Sequence, residues 1–186
     1  MSFSARLKGL YLRFFSSPGS DRILYRTIHK IKPRSIVEIG MSSTSRSRLL
    51  IEQSQFALGD QKVSLTVIDL FDGRPPNLPP LKLIETHRIL CKTGATVKLV
   101  PGEENSTLPR IANSLQNTDL VLISSSSDLR NQVQLWFYLP RMLGERGQVL
   151  QQVTLENGRK QWRELTGKQI LSLNQTAQDS KLRSVA

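Results

Sequence analysis

The chain has 186 residues, 38% of them hydrophobic and 22% charged, with a formal net charge of +11. That length suits one globular domain, and the composition excludes both a disordered chain and a disulfide-stapled miniprotein. Cys91 is the one cysteine, which excludes an intramolecular disulfide and a cysteine-rich zinc site.

The positive charge sits at the two ends. Residues 1–34 carry eight Lys/Arg against one acid, Asp21. Residues 35–157 carry twelve of each sign, and residues 158–186 carry six basic residues against Glu164 and Asp179. This divides the chain into a basic N-terminal helical segment (1–34), a neutral central domain (35–157) and a basic C-terminal tail (158–186). An anionic partner, whether nucleic acid or an anionic lipid surface, is then expected at the termini. The plainer alternative is that both ends are solvated and serve solubility.

In chain order, Phe3, Leu7, Leu10 and Phe14 draw one apolar stripe on a helix, with Arg6, Lys8 and Arg13 off it. The pattern fits a terminal helix laid over the domain, an interfacial helix or a transit peptide. Ser16 to Ser20 forms a turn, and a second helix runs from about Asp21 to Ile31, before Pro33. Ser35 to Ile39 reads as a buried strand ending at Gly40. Met41 to Ser45 is a small-residue loop, and the next helix ends at Gly59-Asp60. Val63 to Leu70 is a β-branched second strand. Asp72 to Pro80 holds four prolines and a glycine and is a rigid loop.

Leu81 to Thr93 is helical, with His87 on its apolar, buried side, and Gly94 stops it. Ala95 to Val100 is the third strand, Leu108 to Leu115 a short helix, and Asp119 to Ser124 the fourth strand. Leu129 to Leu143 is a helix stopped by Gly144, and Gly147 to Leu155 is the fifth strand. No run of apolar residues is long enough to cross a membrane. This alternation predicts an α/β fold: a doubly wound, mostly parallel, five-stranded sheet with helices on both faces. Ligands bind such sheets beyond the carboxyl ends of the strands. The loops after Ile39, Leu70, Val100 and Ile123 are therefore the places for chemistry.

Four stretches carry a family likeness: Val37-Glu38-Ile39-Gly40, Thr66-Val67-Ile68-Asp69-Leu70, Asp119 to Ile123, and the run Tyr138 to Gly147. From about Ser35 to Gln152 the chain resembles the class I S-adenosylmethionine (SAM)-dependent methyltransferases, in their small-molecule O-methyltransferase-like branch. The resemblance implies a Rossmann-like fold and binding of SAM or S-adenosylhomocysteine. It implies Glu38, Gly40, Ser42, Asp69 and Glu103 as cofactor-binding residues, with Asp69 accepting from the ribose hydroxyls and Glu103 or Glu104 near the adenine. The family loop is Glu/Asp-x-Gly-x-Gly-x-Gly, whereas Ser42 and Thr44 stand where its second and third glycines would be. Side chains at those positions would strain a left-handed turn and narrow the approach to a ligand. Read from the residues alone, the loop is also an ordinary strand-to-helix turn with a serine cap, and Asp69 a loop-capping acid.

Catalytic groups are sparse. The end of the fourth strand reads Ser124 to Ser127 and then Asp128, which caps the next helix. No metal site is therefore expected. No Gly-x-Ser-x-Gly elbow is present, and His29 and His87 lie in helices. Methyl transfer by positioning alone remains open, since a nucleophilic acceptor needs no base. Trp136, Phe137 and Tyr138 point in directions spread over about 200° and belong to core packing. Trp162, set among Arg159, Lys160 and Arg163, packs on the domain or stacks on a partner. The expected protein is cytoplasmic, without a transmembrane segment. It is either SAM-binding and methyltransferase-like, or an inactive scaffold of the same fold acting through its basic ends.

Overall fold

A computed structural model describes residues 3–16, 18–59, 61–124 and 133–183. Six strands form one sheet: β1 (Ser35–Ile39), β2 (Ser64–Asp69), β3 (Thr96–Pro101), β4 (Thr118–Ile123), β5 (Leu143–Thr154) and β6 (Lys160–Leu165). Their order is β3-β2-β1-β4-β5-β6, with every pairing parallel except the antiparallel β5–β6 edge. The chain order reverses between β1 and β4, which places the topological switch at the end of β1.

The helices are α1 (Phe3–Phe15), α2 (Arg22–Ile31), α3 (Thr44–Ala57), α4 (Leu83–Cys91), α5 (Glu104–Ile111), α6 (Val133–Met142) and α7 (Gly167–Arg183). Side chains alternate across each strand, so successive residues enter opposite cores. Ile36, Leu65, Leu120, Leu122 and Leu150 pack with Leu24, Ile28, Leu50 and Leu90 under the α1–α4 layer. Val37, Ile39, Val121, Ile123 and Val149 pack with Leu108, Leu135, Leu139 and Ile170 under α5–α7. Burial on both faces is why the strands read as unbroken apolar runs.

Three expectations change. The sheet has six strands and not five, because residues 160–165 of the supposed tail pair with β5, opposing Leu150 to Glu164 and Gln152 to Trp162. A helix, α7, follows. Gly144 does not stop α6 ahead of a loop, since β5 begins at Leu143 itself. The pairing then jumps from Thr118 opposite Leu143 to Leu120 opposite Gln148, so that residues 144–147 bulge. Finally, α1 does lie on the domain, but not through its apolar stripe. The face that docks carries Gly9, Leu12 and Ser16, all buried. A Cβ on Gly9 would come within 3.1 Å of Gln53, so the glycine is what lets α1 approach α3.

Candidate cofactor site

The carboxyl ends of β1 to β4 meet along one edge. The Gly40 N–H donates to the Ile68 carbonyl (2.9 Å), the Gly102 N–H to the Asp69 carbonyl (2.9 Å), and the Ser124 N–H to the Ile39 carbonyl (2.8 Å). Gly40, Asp69, Gly102 and Ser124 therefore stand side by side, brought together by parallel register. Gly40 has φ +71°, a conformation that favours glycine. None of residues 41–44 shares it. The strain expected at Ser42 and Thr44 does not arise, because the turn needs only one left-handed residue. Ser42 is exposed. Ser43 caps α3, its Oγ accepting from the Arg46 N–H at 3.2 Å.

Asp69 is buried at the end of β2, and its carboxylate is fully engaged. Oδ2 accepts from the Met41 N–H at 2.7 Å and Oδ1 from the Phe71 N–H at 2.9 Å. Arg74 completes the set: Nε donates to Oδ1 at 2.7 Å and Nη2 to Oδ2 at 2.5 Å. The same guanidinium reaches the carbonyls of Met41 and Pro79. The two side chains are only 7% and 5% exposed, so this is a buried bidentate pair. A carboxylate offers about four acceptor positions, and here each oxygen has two donors. A vicinal diol has no free lone pair to meet while Arg74 stays in place.

Glu38 is fully buried on the α1–α4 side of the sheet. It accepts from Arg46 Nη2 at 2.8 Å and from Ser47 Oγ at 2.5 Å. Arg46 Nη2 also donates to Ser124 Oγ at 2.7 Å, and its guanidinium lies 5.0 Å from the Trp162 ring centre. Trp162 is buried and donates its Nε1–H to Asp21 at 3.1 Å. Glu38, Arg46, Trp162 and Asp21 thus form one line from β1 through α3 and β6 to the start of α2. Tyr25 sits beside this line, its phenol pushed up to about 12 by burial and by the Asp21 carboxylate, with Arg46 opposing.

Glu103 is exposed just before α5, with no side-chain capping bond. It lies on the loop that follows β3, one residue from Gly102. His87 is exposed and not buried as expected. It turns outward from α4 against Cys91, with Nε2 3.5 Å from Sγ. His29 is exposed on α2, its pKa lowered by desolvation, Arg13 and Lys32. Trp136 is buried, while Phe137 and Tyr138 meet edge-on at 5.0 Å with Arg141 over Phe137. Asp128 lies outside the described residues. Among the described residues no group of three or more His, Cys, Asp or Glu is placed to hold a metal. Among them too, no helix is long and apolar enough to cross a membrane.

Arg46 and Arg74 are the site residues that sequence reasoning missed. The signal for Arg74 is its place five residues after Asp69, in a proline-rich loop that folds back on the strand end. Arg46 had only its place in the first turn of α3, beneath the Gly40 loop.

Solved structures share this architecture over most of their length. Cofactor-bound Rv0187 from MTB is 18% identical at a TM-score of 0.52, covering 95% of this chain and 77% of that one. The O-methyltransferase TomG of Streptomyces achromogenes, in complex with SAM, is 13% identical at a TM-score of 0.52, over 96% and 78% of the two chains. The SAH-bound Podospora anserina methyltransferase PaMTH1 is 17% identical at a TM-score of 0.50, over 100% and 78%. The fold is that of the class I methyltransferases. No family model and no curated protein matches the chain. At these identities the likeness is one of fold, and activity must be argued from the site.

Proposed function

We propose that the protein binds SAM at the carboxyl edge of β1 and β2 and is methyltransferase-like. Gly40, Ser42 and Asp69 stand against the cofactor, Glu38 shapes the loop from below, and Glu103 lies on the adenine side. The observation that carries this reading is the juxtaposition of the Gly40–Met41 turn with the Asp69 carboxylate, held by the 2.7 Å bond from the Met41 N–H. A left-handed glycine leaves room for close approach, and an acid at the neighbouring strand end suits a pair of hydroxyls. The residues fit the cofactor on one condition: the Arg74 guanidinium must leave Asp69. The carboxylate then keeps its two backbone donors and frees one acceptor position on each oxygen.

SAM, when bound, supplies an electrophilic methyl group. The chain's own contribution is to orient that ligand and its acceptor, with no base required of an acceptor that is already nucleophilic. The acceptor itself is set by loops that the fold does not determine.

The test is thermal unfolding with S-adenosylhomocysteine. At about 100 times its dissociation constant a specific ligand adds roughly 2.7 kcal/mol, which for this size raises Tm by about 5–11 °C. Arg74→Met should show the shift at lower ligand concentration than wild type, and Asp69→Ala in that background should abolish it. Asp69→Ala alone is a poor probe, because it strands the buried arginine. No shift in either wild type or Arg74→Met removes the SAM assignment.

A further inference from the structure

The outward face of α1 asks for a partner. Leu7, Leu10, Tyr11, Phe14 and Phe15 occupy one sector of the helix about 140° wide, opposite the docked face of Gly9, Leu12 and Ser16. Their exposure runs from 46% at Leu10 to 67% at Phe15. Among the described residues the other large exposed apolar side chains, Ile84 on α4, Leu155 after β5 and Leu171 on α7, lie on separate parts of the fold. Half of five large side chains is on the order of 500 Å² of contiguous apolar surface, at the top of what a soluble monomer usually shows.

The neighbouring surface says what kind of partner fits. Helix α2 packs beside α1, and its outer face presents Arg26, His29 and Lys30, all exposed. Arg26 ties the two faces together: its guanidinium lies 5.4 Å from the Phe14 ring centre and its Nε donates to the Arg13 carbonyl at 3.1 Å. The acid of this region, Asp21, is buried against Trp162 and does not reach that face. An apolar ridge bordered by cations matches an anionic lipid surface, where the ridge enters the acyl boundary and the cations meet the headgroups. Pairing two copies through this face would bring two strongly basic ends together. A nucleic acid would leave Leu7 and Leu10 without a role.

We propose that α1, with the basic face of α2 beside it, docks the protein on anionic membrane surfaces. The inference is independent of the cofactor reading. The experiment is co-sedimentation of the full chain with vesicles of phosphatidylcholine alone and of three parts phosphatidylcholine to one part phosphatidylglycerol. Binding is expected to the anionic vesicles, weakening as salt rises. It should fall about tenfold or more in Arg26→Gln/Lys30→Gln, and by at least about tenfold in Leu10→Ser/Phe14→Ser. Arg26→Gln and Phe14→Ser also give up the contacts of Arg26 with the Arg13 carbonyl and the Phe14 ring. The losses are therefore read beside the Tm of each variant, with Lys30→Gln and Leu10→Ser as the singles that leave those contacts in place. Equal binding to both vesicle types, or full binding by Leu10→Ser/Phe14→Ser, overturns the proposal. So does an absence of vesicle binding, whether or not the chain dimerises through α1 or retains RNA.

Discussion

Arg46 and Arg74 each neutralise a buried acid, and each shows how far one side chain can reach. Arg46 holds Glu38 from α3 while lying over Trp162 of β6. Removing one partner of such a pair leaves a charge without its counter-ion, a loss of about 3–5 kcal/mol. Arg46→Ala should therefore lower the urea midpoint sharply, and Glu38→Gln should restore part of the loss in the double variant. Tyr25, beside the same line, gives a pH test. Burial and the Asp21 carboxylate push its folded pKa up to about 12 from the ordinary 10.0 of a phenol. The neutral phenol is the form that the fold favours, so stability is full below about pH 10 and falls as pH rises toward the folded value. Tyr25→Phe should flatten that alkaline decline in Tm, while an unchanged profile would mean the phenol is not held in its neutral form. Gly40 and Asp69 were legible in the sequence because they end short apolar strands. The two arginines were not: Arg74 is only five residues from Asp69, but the backward path of its proline-rich loop does not show in the composition, and Arg46 meets Ser124 and Trp162 only after the sheet assembles.

Elements were easier to place than their orientation. The apolar spacing of α1 defines which residues share a stripe, but it says nothing of which side faces the domain. The side that docks carries buried Leu12, and at Gly9 the absent side chain leaves room for Gln53 of α3. The serine-rich loop misled in the other direction. Its family spacing suggests three glycines, yet the backbone needs only Gly40 in the left-handed region. Around β5 the two glycines of residues 144–147 suggested a stop and a fresh start, and they serve the bulge. A Cβ on Gly147 would come within 2.7 Å of the Thr118 carbonyl oxygen, a backbone atom that cannot swing aside. Gly147→Ala should cost about 1–3 kcal/mol through overpacking, read from denaturant unfolding. A neutral outcome would show that the bulge relaxes freely.

At the scale of the molecule, the alternation of elements was sufficient to give the doubly wound sheet and the edge along which its strand ends meet. The basic, weakly patterned end of the chain concealed β6 and α7, since an edge strand with one polar face carries little apolar signal. Trp162, Leu165 and Ile170 from that end fill both cores. Removing residues 158–186 should therefore abolish cooperative unfolding, whereas removing residues 1–16, where Leu12 is the one buried apolar side chain among the described residues, should leave a folded protein. Survival of the sheet without its last strand and helix would contradict this picture of the core.

We propose that SAM binds at the β1–β2 edge and that Arg74 holds the ribose acid until the ligand arrives. Calorimetric titration with S-adenosylhomocysteine, wild type beside Arg74→Met, addresses it directly. One site per chain is expected, with Arg74→Met at least about tenfold tighter because the closed state no longer competes. Equal affinities would leave the site and remove the arginine's role. Silence from both proteins at millimolar ligand would contradict the site itself.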